Sequence, residues 1–184
     1  MPKKLTSVKV SLKLPYIGGV EGTWEPDESE RNAAWEMYVE LITRISVAEL
    51  KPDEGLLREA LSSLHSLFDT TRKILRKYGP SIAQPKGKGN GNGNLSFGYL
   101  AVAVLNVVLR PVLAKWHPLL LDYETTKKSS VSRLEHEKQW DKNEELRRVL
   151  NEIRTVLIEY ANLLAQVAGV PPLIVQRKNE TRAD

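Results

Sequence analysis

Apolar residues recur at helical spacing over four long stretches of the chain. The two most regular seams are Leu57, Leu61, Leu64, Phe68, Thr71, Leu75 and Tyr78, and Leu146, Leu150, Ile153, Leu157, Tyr160, Leu164 and Val167. Spacings of three and four residues are typical of helices that bury one face. With proline, glycine and acidic residues at the ends, the pattern predicts helices over residues 27–47, 53–78, 96–116 and 132–168. Ser132 and Glu135 are spaced as a capping box for the last helix. Four long helices favour an up-down four-helix bundle.

A β-like pattern precedes the first helix. In residues 7–14, Val8, Val10, Leu12 and Leu14 alternate with serines and lysines, which predicts a half-buried strand. The other β-like run is residues 173–175, so we predict that the two ends of the chain form a short pairing. The alternative is that this strand edge pairs with another protein. The fold class is therefore mainly α, with a short strand element, in a single domain over residues 1–175.

Two segments lack the apolar residues that a packed element needs. Residues 85–94, PKGKGNGNGN, are predicted to form a flexible loop, since glycine and asparagine alternate there without an apolar side chain. The glycine spacing does not match a phosphate-binding loop. Residues 176–184 are predicted to form a disordered tail.

Residues 96–121 are the most apolar part of the chain, which predicts the central helix of the bundle. A membrane-spanning helix is less favoured because four polar residues interrupt the run: Asn106, Arg110, Lys115 and His117. Pro111 predicts a kink, since it cannot donate a backbone hydrogen bond and its ring crowds the preceding turn. Pro118 predicts that the helix ends near Trp116.

Polar residues of this helix fall on one narrow line, because they are spaced by seven, four and seven residues: Tyr99, Asn106, Arg110 and His117. In a central helix this would be a buried polar line. It has two interpretations. Arg110 binds a phosphate or carboxylate ligand inside the bundle, or a neighbouring helix supplies its partner, since a buried unpaired charge is very costly.

Composition sets broad limits on function. The chain of 184 residues carries 27 Lys and Arg against 23 Asp and Glu, a formal net charge of +4 that permits binding to nucleic acid or to an acidic partner. It has no cysteine, which leaves the compartment open, and the cytoplasm is the default expectation. The first residues lack an apolar run of signal-peptide length, so we do not expect export.

Catalytic and metal-binding signatures were sought around the three histidines. Di-iron bundles place a glutamate three residues before a histidine, whereas Ser62, Ala114 and Arg133 occupy those positions here. The sequence contains no nucleotide fingerprint and no nucleophile motif. We therefore predict a non-catalytic protein without a metal or a cofactor.

Two groups of residues are candidates for binding a partner. The cations at the end of the second helix and in the loop after it are candidates for nucleic-acid phosphates: Arg72, Lys73, Arg76, Lys77, Lys86 and Lys88. The alternative is an ordinary solvated helix end, where cations are favoured by the helix dipole. Trp24 and Trp140 are candidate protein contacts, since aromatics are enriched at binding hot spots. The alternatives are that Trp24 closes the bundle end and that Trp140 packs under nearby loops.

The segment LNVVLRPVLAKWHP, residues 105–118, resembles a segment of uncharacterised bacterial helical proteins, some of which lie in antiviral defence loci. This resemblance implies a small accessory subunit or regulatory module that works with a larger effector. The leading hypothesis is therefore a non-catalytic interaction module that binds another protein or its own copy. The alternative is a basic RNA- or DNA-binding accessory protein. A membrane-acting effector, whose central helix enters lipid, is the third hypothesis.

Overall fold

The computed structural model describes residues 6–15, 18–44, 49–52, 54–86 and 94–173. Strands β1 (Val8–Leu12) and β2 (Val20–Trp24) precede helices α1 (Glu28–Ile42) and α2 (Leu57–Tyr78), and a 3-10 helix follows at Pro80–Ala83. Strand β3 (Asn94–Leu95) leads into the long helix α3 (Phe97–Thr125). Helices α4 (Arg133–Lys138) and α5 (Asn143–Ala168) complete the fold. The predicted fold class, mainly α with a short strand element, is confirmed.

The described strands form one sheet in the order β1-β2-β3. β1 pairs antiparallel with β2, with Val8 opposite Trp24 and Leu12 opposite Val20, and β2 pairs parallel with β3. The pairing of β1 with β2 was not predicted, and the predicted pairing with residues 173–175 falls largely outside the described residues. Gly18 and Gly19, both at positive φ, let the chain fold back after β1. Residues 174 and 175 and the predicted tail lie outside the described residues.

One hydrophobic core joins the sheet to the helices. The inward side chains of β1 share it with α1, α2, α3 and α5, and β1 packs against α5. Trp24, Tyr38, Phe97, Trp116 and Tyr160 are its largest fully buried side chains. Trp24 therefore belongs to the core and is not the exposed protein contact that was one of its two predicted roles. It points inward because the alternation of β2 places it on the same face as Val20.

Helix α2 begins at Leu57, four residues later than residue 53, where the sequence predicts its start. The helix N-terminus is capped from a distance: the Glu137 carboxylate accepts hydrogen bonds from the backbone N–H groups of Leu57 (2.9 Å) and Arg58 (3.4 Å). Burial raises the pKa of Glu137, against the lowering effect of these two bonds and of the nearby Arg147 charge. No local capping residue marks this start, which is why the sequence does not show it.

Helix α3 continues to Thr125, so the predicted end near Trp116 is wrong. Residues Val104–Leu109 form π-helical turns, which are wider than α-helical turns and immediately precede Arg110 and Pro111. Pro118 lies inside the helix. The Arg58 guanidinium of α2 approaches the backbone carbonyl of His117, the residue before this proline, at 3.5 Å. Tertiary packing thus overrides the local preference of proline to end a helix.

The other predicted boundaries differ less. α1 ends at Ile42, whereas the predicted end is residue 47. At the observed end, the Thr43 hydroxyl donates to the Val39 carbonyl, and residues 45–47 lie outside the described part of the chain. The helix predicted over residues 132–168 is divided into α4 and α5. The predicted capping box of Ser132 and Glu135 is present at the start of α4. At the break between them, the Asn143 amide donates to the Glu137 carbonyl at 2.7 Å.

Within the described residues, α3 is the one helix whose length and composition would let it cross a membrane. Core helices of soluble proteins meet the same criterion, and 56% of its most apolar window is buried. Its outer side carries exposed apolar residues, among them Tyr99, Val102 and Leu121. α3 therefore lies on the outside of the bundle with one face exposed. The prediction of a central helix buried on nearly all sides is wrong.

Candidate anion-binding face

The polar line of α3 lies on its solvent side. Tyr99 is 54% exposed, Asn106 and Arg110 are exposed, and His117 is half-buried at the contact with α2. Asn106 and Arg110 are neighbours joined by hydrogen bonds, but the predicted burial is wrong for Tyr99, Asn106 and Arg110. The reason is that the apolar side chains of α3 face inward, so the polar line is left outside. We call the surface formed by Arg72 and Arg76 of α2 with this line of α3 the α2–α3 face.

Phe68 lies at the centre of the α2–α3 face. The guanidinium carbon of Arg72 lies 5.8 Å from the Phe68 ring centroid, and that of Arg110 lies 5.4 Å from it. The ring of His65 is 6.3 Å from the same ring. Cations within about 6 Å of an aromatic ring are attracted by its quadrupole. One largely buried phenylalanine therefore holds two arginines from different helices on the same surface.

The arginines of this face have no carboxylate partner within the described residues. Arg110 receives support from Asn106, whose side-chain oxygen accepts hydrogen bonds from Nε (3.0 Å) and from a terminal nitrogen (2.9 Å). Arg72 lies over the Phe68 ring, and neither Arg72 nor Arg76 forms a hydrogen bond or an ion pair within the described residues. Both charges help to lower the pKa of Asp69, but the ion pair of Asp69 is with Lys73. The guanidinium donors thus remain available to an anion.

The predicted lysines differ from these arginines, because three of them already bind carboxylates. Lys73 pairs with Asp69 at 2.6 Å, which lowers the pKa of Asp69 and raises that of Lys73. Lys77 pairs with Glu36, and Lys86 pairs with Asp27 and Glu30. Lys88 and most of the predicted loop 85–94 lie outside the described residues. Of the six predicted phosphate contacts, Arg72 and Arg76 are the two that the described structure leaves unpaired.

His117 belongs to a polar cluster at the other end of the face. Arg58 donates to His117 Nδ1 at 2.8 Å and binds both carboxylate oxygens of Glu124, at 3.0 and 2.9 Å. Because a guanidinium can only donate, Nδ1 accepts and the neutral ring carries its proton on Nε2. Nε2 is buried and has no hydrogen-bond partner among the described residues. Burial, the Arg58 charge and His65 lower the pKa of His117, and Glu124 opposes them.

This environment predicts a loss of stability in mild acid. The unfolded chain takes up the His117 proton near pH 6.5, whereas the folded protein takes it up only at lower pH, so stability falls as pH decreases from about 7.5 to 5.5. The His117 contribution to this loss cannot exceed about 1.4 kcal/mol, the limit for a histidine that stays neutral in the folded protein over this range. Urea denaturation at both pH values would measure it. In His117→Gln the difference between the two values should shrink, and an unchanged difference would contradict the assignment to His117.

Trp140 is buried, so it packs inside the fold, as one of its two predicted roles requires, and is not an exposed partner contact. Its ring is stacked on Tyr123 with centroids 5.4 Å apart and meets Trp116 edge-on at 6.1 Å. Tyr123 also stacks on His136 at 4.2 Å, and its hydroxyl donates to the His136 carbonyl. These contacts fasten α4 and the connection to α5 onto the end of α3. The most exposed tryptophan of the described chain is Trp35, at 41%.

A cleft of about 590 Å³ lies beside this aromatic cluster, and its lining residues are Pro52, Lys138, Trp140, Asp141, Asn143, Glu144 and Arg147. Arg147 is committed to backbone carbonyls there. Among the described residues there is no group of three or more His, Asp or Glu side chains that could hold a metal ion. Within the described residues the cleft thus holds no such metal-ligand group, and we take the α2–α3 face as the candidate functional surface.

Comparison with known proteins does not assign a role to this face. No protein-family model matches the chain, and neither a curated protein nor a solved structure matches it. The resemblance of residues 105–118 to bacterial helical proteins therefore stays a prediction. Sequence reasoning identified Arg72, Arg76 and Arg110, but not the role of Phe68 in bringing them together. The signal was present: Phe68 and Arg72 are four residues apart, at the spacing of neighbours on a helix.

Proposed function

We propose that this protein is a non-catalytic accessory module that binds nucleic acid through the α2–α3 face. The observation that carries the proposal is the pair Arg72 and Arg110, which Phe68 holds on one exposed surface and which have no carboxylate partner within the described chain. Guanidinium groups without a carboxylate partner suit phosphate oxygens, since each phosphate offers several acceptors to a planar guanidinium. The excess of positive charge supports long-range attraction to a polyanion.

Nucleic acid is favoured over a protein partner because both tryptophans predicted as protein contacts are buried. The role as an accessory subunit of a larger assembly is kept, and the antiviral setting rests on the resemblance alone. We also propose a cytoplasmic location, where nucleic acid is accessible and a chain without cysteine needs no oxidising environment.

Removal of two charges from the face tests the proposal. We expect Arg72→Gln/Arg110→Gln to weaken binding about 10- to 100-fold and to reduce the slope of log K against log salt by about 2, since two phosphate contacts are lost. Fluorescence anisotropy with a labelled single strand and a labelled duplex of the same sequence, at several salt concentrations, would measure both quantities.

The matched control is Lys128→Gln/Arg133→Gln. It removes the same net charge from two exposed residues outside the α2–α3 face. Lys128 lies in the connection between α3 and α4, and Arg133 is the first residue of α4. If both double variants lose affinity equally, net charge and not the α2–α3 face governs binding. If the parent protein shows no salt-dependent binding to either probe, the proposed function is wrong.

A further inference from the structure

The shape of the α2–α3 face limits which nucleic acid it can contact. α2 contacts the whole length of α3, including its π-helical turns, so the face is a pair of neighbouring helices. Each helix is about 10–12 Å wide with its side chains, and packed axes lie about 8–10 Å apart. The pair is thus roughly 20 Å wide, whereas the major groove of B-DNA is about 12 Å wide. The two helices side by side are therefore too wide to enter that groove together.

An exposed aromatic side chain lies at one end of this face. Tyr99 is in the first turn of α3, and 54% of it is exposed. The start of α3 packs on the 3-10 helix that follows α2, so closely that a Cβ on Gly98 would lie 2.9 Å from the Cα of Ala83. Arg76 is in the last turn of α2, directly before that 3-10 helix. Tyr99 and Arg76 therefore occupy the same end of the α2–α3 face.

Along α3, an aromatic side chain at one end is followed by polar and cationic side chains. From the Arg76 end toward the His117 end, α3 presents the Tyr99 ring, then the Asn106 amide and then the Arg110 guanidinium. Arg72 lies beside Arg110, across the Phe68 ring. A cationic track with an exposed aromatic ring is the combination that binds single strands, because phosphates contact the cations and an unpaired base stacks on the ring.

We infer that the α2–α3 face binds single-stranded nucleic acid in preference to a duplex, with Tyr99 as a stacking platform for a base and Arg72, Arg76 and Arg110 as phosphate contacts. This inference rests on the proposed function. A duplex can reach the arginines only through its outer phosphates, and its paired bases are not available to Tyr99. The preference follows from the width of the helix pair and from the exposed ring.

The test compares Tyr99→Ala with Tyr99→Phe in anisotropy measurements with an oligo-dT, an oligo-U RNA and a duplex, each of about 15 nucleotides or base pairs. We expect the parent protein to bind the single strands at least ten-fold more tightly than the duplex. Tyr99→Ala should lose about ten-fold for the single strands and change little for the duplex, whereas Tyr99→Phe keeps the ring and the affinity. Trp35→Ala, which removes an exposed aromatic ring from α1, should leave binding unchanged.

The outcomes separate this inference from the proposed function. Salt-dependent binding of a duplex as tightly as of the single strands would overturn the single-strand inference and leave nucleic-acid binding intact. An unchanged affinity of Tyr99→Ala for both single strands would overturn the stacking role. Displacement of the single strand by poly-glutamate as effectively as by unlabelled oligo-dT would show recognition of negative charge alone, which overturns the inference as well. Binding to no probe would overturn both proposals.

Discussion

Glu30→Ala is expected to destabilise the protein by about 3–5 kcal/mol, the range for removing one partner of a buried charged network. Glu30 is 1% exposed, although it lies in the first turn of α1. Its carboxylate accepts hydrogen bonds from the Trp24 indole at 3.0 Å and from the Phe97 backbone N–H at 2.9 Å. The substitution would leave both buried donors without an acceptor.

The position of Glu30 explains the size of the effect. Trp24 is the last residue of β2, and Phe97 is the first of α3, so one carboxylate joins the sheet, α1 and α3. The second oxygen accepts from the Asp27 backbone N–H at 3.3 Å and lies 3.6 Å from the Lys86 ammonium. Glu30→Gln keeps the volume and one acceptor but turns an amide N–H₂ toward one set of these donors. Its loss should be smaller than that of alanine and still clear.

Urea denaturation followed by tryptophan fluorescence would measure both variants, and Trp24 reports directly on the lost contact. Glu159→Ala is the control, because that glutamate is exposed on α5 and its removal should change stability by less than about 0.5 kcal/mol. A loss below about 1 kcal/mol for Glu30→Ala would mean that water replaces the carboxylate and that the network is not a structural junction.

The helices that could be predicted are those with local signals. The seam from Leu57 to Tyr78 and the capping box at Ser132 are encoded within a few residues, and both are present in the structure. What could not be predicted depends on distant partners. Glu137 caps α2 from 80 residues away, and Arg58 binds the carbonyl of His117, which precedes the proline inside α3. Such contacts leave no periodic pattern in the sequence.

The candidate face was predictable in its parts and not in its arrangement. Spacing correctly made Asn106 and Arg110 neighbours, but it cannot say which side of an apolar helix is exposed. The contacts of the cations on α2 could not be predicted either. Lys73 and Lys77 form ion pairs with carboxylates, whereas Arg72 lies over an aromatic ring. Composition treats these cations alike, and only the packing of α2 on α1 and α3 separates them.

Arg147→Met is the second substitution with a large expected effect, and we expect it to lower the free energy of unfolding by about 2–4 kcal/mol. Hydrogen bonds from charged groups contribute more than neutral ones, and their removal leaves buried acceptors unpaired. Arg147 is 6% exposed on α5. Its terminal nitrogens donate to the backbone carbonyls of Lys51 (2.8 Å), Glu54 (3.2 Å) and Gly55 (3.4 Å), and its Nε donates to Asn143 at 3.0 Å. The guanidinium thus fixes the segment that leads into α2.

Arg147→Lys tests whether the planar set of guanidinium donors is required or the positive charge alone. A lysine keeps the positive charge near Glu137 but cannot place donors on three carbonyls in one plane, so we expect it to recover less than half of the loss. Hydrogen exchange at the amides of Leu57 and Arg58 would localise the defect, because the Glu137 cap depends on the position of this segment. Full recovery of stability in Arg147→Lys would show that the positive charge matters and the planar set of donors does not. Faster exchange in Arg147→Met that spreads evenly over α2 and α5 would indicate global destabilisation instead of a loosened helix start.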